Sequence, residues 1–135
     1  MKKKFIDTNL EFKKKTVEGK LQFLSYNNKT LPLPTEIEIS ESGTCNRTCS
    51  FCPRSNPDFE DKKEFIKNDL HLKLCNELSE INYKGTIRYS GFVEPLLDKN
   101  IYKLIHMAKN LMPTWNIELV TNGDPLNLNR LKKLF

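Results

Sequence analysis

Three strand-like runs, each followed by an apolar stripe at helical spacing, constrain the fold of this chain most. "TEIEIS", residues 35–40, alternates isoleucine with polar residues at a period of two. Ile66, Leu70, Leu74, Leu78 and Ile81 then recur at intervals of four and three, the stripe of an amphipathic helix. "GTIRYSG" (85–91) reads as a second strand. Ile101, Leu104, Ile105, Ala108 and Leu111 form the face of a second helix, which Pro113 closes. "NIELVTNG" (116–123) is a third strand, and "LNLNRLKKLF" opens a third helix with Leu128, Leu131 and Leu134 on one face. Strands that alternate with helices imply a parallel sheet covered by crossover helices. Function in such folds collects at the carboxyl ends of the strands. Here those ends carry a cysteine loop, "SGFVEPLLD" and "TNGDPL".

At 135 residues, 38% hydrophobic and 29% charged, the chain supports one domain, complete or partial. Residues 1–34 read as an N-terminal extension. It holds one strand, "KLQFLSY", then an Asn27-Asn28 turn and the Pro32 and Pro34 pair. Much of the net charge of +5 lies there, in "MKKK" and "EFKKKTVEGK". These lysine runs read as a solvated, mobile segment; nucleic-acid contact is possible but not favoured, because no aromatic residue interrupts them. No stretch reaches the ~18–20 apolar residues of a membrane span, and the basic start lacks the apolar region of a signal peptide. A reducing cytoplasm follows as the expected location. It makes a disulfide framework a poor account of the cysteines and favours metal or redox chemistry.

Three of the four cysteines fall within "CNRTCSFC", residues 45–52. A structural zinc site wants four ligands and commonly presents CxxC pairs, so CxxxCxxC fits it poorly, although His71, His106 or Cys75 could complete the set. A four-iron cluster also takes four cysteines as a rule, but three thiolates leave one iron open to a substrate or cosubstrate.

"CNRTCSFC" resembles the signature of the radical S-adenosylmethionine enzymes, including the aromatic residue before the last cysteine. The resemblance implies that Cys45, Cys49 and Cys52 ligate a 4Fe-4S cluster and that Phe51 lies beside the adenine of S-adenosylmethionine. It implies reductive cleavage of that cosubstrate to a 5'-deoxyadenosyl radical, with electrons from a flavodoxin-like or ferredoxin-like donor. "SGFVEP" is similar to the family's Gly-Gly-Glu-Pro motif, which holds the methionine amino group. Gly91, Glu94 and Pro95 match it, while Val93 stands where a second glycine is usual. Thr121 and Asn122 of "VTNG" resemble the family's Thr-Asn-Gly at the active-site rim. The implied fold is α/β, a partial TIM-like (βα) barrel of the radical S-adenosylmethionine type. Residues 35–135 supply only the first three strand–helix units, the N-terminal half of its core domain. The chain stops inside a helix pattern with no capping glycine, as expected of a fragment. The layout resembles the members that modify peptides or small molecules. The alternatives are a zinc- or cluster-stabilised binding module without turnover, and an RNA-modifying enzyme that uses Lys13, Lys14 and Lys15.

Several conspicuous residues have plainer readings. Cys75 reads as a buried helix thiol, His71 and His106 as satisfied boundary histidines, Met107 and Met112 as packing residues, and Trp115 as core or cover. Glu36 and Glu38 alternate with Ile37 and Ile39, on a face that points either into a lumen or into solvent.

Overall fold

The computed structural model describes residues 8–18 and 21–135; the "MKKK" start and Lys20 lie outside the described residues, as does the side chain of Lys13. The α/β class holds. A three-stranded parallel sheet is built from β3 (Glu36–Ile39), β4 (Thr86–Tyr89) and β5 (Asn116–Leu119), in that spatial order. Helix α2 (Asn68–Glu80) connects β3 to β4, α3 (Ile101–Leu111) connects β4 to β5, and α4 (Leu128–Leu134) follows β5. The register pairs Ile37 with Ile87 and Ile87 with Ile117, so the strands finish level at Ile39, Tyr89 and Leu119.

Odd-numbered strand residues face the helices. Ile39, Ile87 and Tyr89 are buried there with Leu78, Ile101, Leu104 and Ala108, and Ile37, Ile117 and Leu119 pack against them. The opposite face carries a charged row: Arg88 donates to Glu36 Oε1 at 2.5 Å and, through Nε and Nη2, to Glu118 Oε2 at 2.9 and 2.6 Å. Glu36 and Glu38 are thus exposed on the face away from the helices, and Glu38 accepts from Ser90 Oγ at 2.6 Å.

The expected apolar stripe holds at four of its five positions, with Leu78 buried and Ile66, Leu74 and Ile81 packed against the core, but helix α2 also turns two less apolar side chains inward. Leu70 is 58% exposed, whereas His71, Cys75 and Leu78 are buried. A histidine can occupy this position because its Nε2 meets the Tyr89 hydroxyl at 2.7 Å, so burial leaves that nitrogen paired. His71 is therefore a satisfied core residue instead of a boundary one. Burial holds its pKa below the ordinary histidine value and pushes the Cys75 thiol up to about 11. His106 is exposed and contacts the Lys133 carbonyl at 3.0 Å. Trp115 is core, with its indole N–H donating to Tyr83 O at 2.7 Å.

The extension contains more structure than one strand. Helix α1 (Thr8–Glu18) precedes a hairpin of β1 (Gln22–Tyr26) and β2 (Lys29–Leu33), paired from Gln22–Leu33 to Tyr26–Lys29. Asn27 and Asn28, at φ 48° and 60°, make the two-residue turn, whose left-handed conformations asparagine tolerates. Pro32 does not end the strand, since a two-stranded ribbon leaves each strand an edge where a missing N–H costs no ladder bond. Gln22 ties the hairpin to the turn before β4, donating to Asn82 O at 2.6 Å and accepting from Lys84 N at 2.9 Å. Among the described residues no helix is long and apolar enough to cross a membrane.

Candidate functional site

Because the strands end level, the loops that leave them meet. A cavity of about 240 Å³ opens where they do, lined by Cys45, Cys49, Phe51 and Cys52 from the first loop, Gly91 to Glu94 from the second, and Val120 to Asn122 from the third. All three thiols are free and half-buried. The last two cysteines are held by a tight turn, with Cys52 N donating to Cys49 O at 2.8 Å, and Ser55 then bonds Cys52 O through both its N–H and its hydroxyl. Phe51 lines the cavity with 90% of its surface exposed. Among the described residues, no three or more His, Cys, Asp or Glu side chains are gathered into a ready metal-ion cage. His71 and Cys75 face the core, and His106 lies against α4; none of these lines the cavity, so none is placed as a fourth zinc ligand.

Glu94 binds the three loops together. It is 1% exposed. Its Oε1 accepts from Leu96 N at 3.0 Å and from Thr121 Oγ1 at 2.6 Å, its Oε2 accepts from Asn122 N at 2.7 Å, and its own N–H donates to Thr44 O at 2.8 Å. A buried carboxylate with three donors is fully compensated. Pro95 starts the short 3-10 turn, Pro95–Leu97, that presents Leu96 N to it. Gly91 has a φ of +110°, and a Cβ there would lie 2.1 Å from Ser40 Oγ, so glycine is required on two counts. Val93 lines the cavity with an ordinary negative φ, so its backbone does not need the second glycine.

Sequence reasoning missed the outer ties. Asn122 Nδ2 donates to Asn46 Oδ1 at 2.9 Å and lies 3.9 Å from Cys45 Sγ. Arg47 grips Asp124 with two donors, Nε at 2.7 Å and Nη2, and Asn46 Nδ2 adds a third at 2.9 Å. The hydrogen bond from Arg47 holds the Asp124 carboxyl below the usual carboxylate range. Arg54 is buried behind the cysteine loop, donating from Nη1 to Phe92 O at 3.0 Å and pairing through Nη2 with Asp61. Deeper still, Glu41 is fully buried with Oε2 unpartnered, and burial pushes its pKa up to about 7. The only signal for these residues was their proximity to strand ends, since charge in a loop ordinarily means solvent.

No protein-family model matches the chain. It is 35% identical over 100 residues, 73% of its length, to the S-adenosyl-L-methionine-dependent 2-deoxy-scyllo-inosamine dehydrogenase of Niallia circulans. The chain resembles part of a dehydrogenase. It spans about two-fifths of that relative, covering 39% of it. Among solved structures it is similar to BtrN in complex with AdoMet and 2-DOIA, with a TM-score of 0.70 and 32% identity, over 76% of this chain and 41% of that one. A selenomethionine form of BtrN in an open conformation gives 0.67 and 32%, over 76% and 45%. These relatives correct the recognition drawn from the cysteine motif. That recognition took in the whole radical S-adenosylmethionine superfamily, with the chain as the N-terminal part of its core domain. The likeness found is to one S-adenosyl-L-methionine-dependent dehydrogenase and gives no support to a peptide-modifying subgroup.

Proposed function

We propose that this chain supplies the cofactor-binding part of an enzyme: an S-adenosylmethionine-dependent dehydrogenase that oxidises a hydroxyl of a small amino-substituted ring by radical chemistry. The observation that carries the reading is that all three thiols of CxxxCxxC share one cavity with the loops that leave β4 and β5. In this reading Cys45, Cys49 and Cys52 hold a 4Fe-4S cluster. Gly91, Glu94, Pro95, Thr121 and Asn122 form and brace the cosubstrate side, and Phe51 offers its exposed ring to the adenine. When bound through Cys45, Cys49 and Cys52, such a cluster would supply the one-electron reduction that radical chemistry with S-adenosylmethionine needs, with a low-potential flavodoxin-like or ferredoxin-like donor as the source.

The chain's own residues position and enclose. Gly91 lets the backbone approach closely where a side chain would block it, and Glu94 fixes the height of three loops. Arg47, which lines the cavity, ties the cysteine loop to the loop after β5 through Asp124. Residues 35–135 act as the functional unit, beginning a partial barrel whose polar inner face is the Glu36–Arg88–Glu118 row, and the described residues before them, 8–18 and 21–34, form an extension. Anaerobic reconstitution with iron and sulfide, followed by electron paramagnetic resonance of the reduced protein, tests this. The expected result is a four-iron signal that changes on adding S-adenosylmethionine. One bound zinc and no cluster would replace the reading with a zinc-stabilised binding module.

A further inference from the structure

A second cavity, of about 330 Å³, adjoins the thiol cavity and shares Arg54, Phe92 and Val93 with it as a common wall. We infer that this second cavity is the substrate pocket, and that it takes a single hydroxylated ring carrying an ammonium group, with Glu60 and Lys62 as the residues that select it. The inference rests on the dehydrogenase reading for the chemistry at the wall, but the pocket stands on its own geometry.

The volume lies at the lower end of the ~300–1,000 Å³ that small-molecule clefts span, which suits one ring and not a polymer. Its walls are pinned. The segment after the cysteine loop turns back along the end of β3, where Gly43 N donates to Glu64 O at 3.0 Å and Ser42 bridges to Phe65. The approach is so close that a Cβ on Gly43 would meet the Lys62 carbonyl oxygen. Arg54 fixes the shared wall from behind by donating to Phe92 O, and its guanidinium lies 5.1 Å from the centre of the Phe59 ring. Phe59 and Phe92 therefore present two apolar surfaces to the space, 37% and 55% exposed, suited to the C–H faces of a saturated ring.

Two charged residues line the same cavity with no partner assigned to them. Among the described residues Glu60 and Lys62 make no hydrogen bond or ion pair, although both line the cavity and carry opposite charges. A free carboxylate is the natural acceptor for an ammonium group, and a free ammonium donates to hydroxyl oxygens. Ser40 adds a hydroxyl whose proton is committed to Ser90 O at 3.0 Å, leaving its lone pairs for a ligand hydroxyl. Across Phe92 and Val93 lies the thiol cavity, so a ring seated here would border the cosubstrate.

The test is ligand-detected NMR titration of the full chain with 2-deoxy-scyllo-inosamine, without iron or S-adenosylmethionine, beside inositol as a hydroxylated ring lacking the amine. The wild-type chain is expected to bind the amine and to bind inositol more weakly. Glu60→Gln should weaken amine binding about tenfold and leave inositol nearly unchanged, and Lys62→Met should weaken both by several-fold. Absence of amine binding by the wild-type chain, or equal affinities in wild type, Glu60→Gln and Lys62→Met, would overturn the assignment. The dehydrogenase reading fails separately. Its sign is loss of the cluster's response to S-adenosylmethionine, which neither substitution should alter.

Discussion

Glu94→Gln is the sharpest probe of how the site is held. The substitution keeps the shape and removes the charge. The native carboxylate takes two donors on Oε1 and one on Oε2. A glutamine can keep its carbonyl oxygen toward Leu96 N and Thr121 Oγ1, but its NH2 group must then face the Asn122 N–H, donor against donor. One bond is lost in a buried place and two change from charge-assisted to neutral. With hydrogen bonds to charged groups near 1.5–3 kcal/mol and neutral ones near 1, the loss comes to about 2.5–7 kcal/mol. For a chain of this length that lowers the melting temperature by roughly 9–25 °C. Urea unfolding followed by the fluorescence of Trp115, the single tryptophan and 2% exposed, measures it directly. Thr121→Val removes one of the three donors and should cost less, about 1–2 kcal/mol. A Glu94→Gln protein within ~0.5 kcal/mol of wild type would refute the bracing role. If that stable variant had lost its response to S-adenosylmethionine, Glu94 would instead contact the cosubstrate directly.

Three further outcomes are expected. Cys49→Ala should abolish iron incorporation on reconstitution while Cys75→Ala leaves it nearly unchanged, because Cys75 is buried in the core beside His71; equal loss of iron in both would sink the ligand assignment. Gly91→Ala should destabilise by about 2–4 kcal/mol in chemical denaturation. Adding Ser40→Gly should recover the part due to the 2.1 Å clash but not the part due to φ +110°. The buried Glu41 has a folded pKa raised from 4.5 to about 7, so its neutral form favours folding fully below pH 4.5, and that advantage is lost as pH rises to about 7. Glu41→Gln should therefore flatten the stability profile across that window and gain roughly 2–3 kcal/mol above it; an unchanged profile would show that Glu41 ionises freely.

The strands and α3 were legible because their periodicity is the packing: Ile37, Ile39, Ile87 and Tyr89 alternate inward, and Ile101, Leu104, Ile105 and Ala108 all reach the core. The inward face of α2 was legible at Leu74, Leu78 and Ile81 but not at its start, where Leu70 competes with a histidine whose burial depends on one partner 18 residues away, the Tyr89 hydroxyl. Hydropathy ranks Leu70 above His71; the hydrogen bond reverses the order. The hairpin was half legible, since Pro32 suggests a break only if the strand is assumed to lie inside a sheet. At the site the cysteine loop stood out by residue type. Its supports did not, because Arg47, Asp124 and Arg54 act across 77 and 38 residues of sequence, and such pairings follow only from the register.

Register is therefore what links the fold to the chemistry. With Ile39, Tyr89 and Leu119 level, Thr44, Glu94 and Thr121 leave their strands at heights where one carboxylate and one backbone N–H can join all three loops. A slip of β4 by one residue would turn Arg88 into the core and Tyr89 out of it, leaving His71 Nε2 buried without its hydroxyl. The same slip would carry Glu94 about 3.3 Å along the strand, beyond hydrogen-bond reach of Thr121 and Asn122. The cost falls on both levels together, in the core through an exposed tyrosine and a buried guanidinium, and at the cavity through the two lost hydrogen bonds from Thr121 and Asn122. The site's geometry is thus set by the same isoleucine and tyrosine alternation that makes the sheet, and a core substitution at Tyr89 should disturb the thiol loop without touching it.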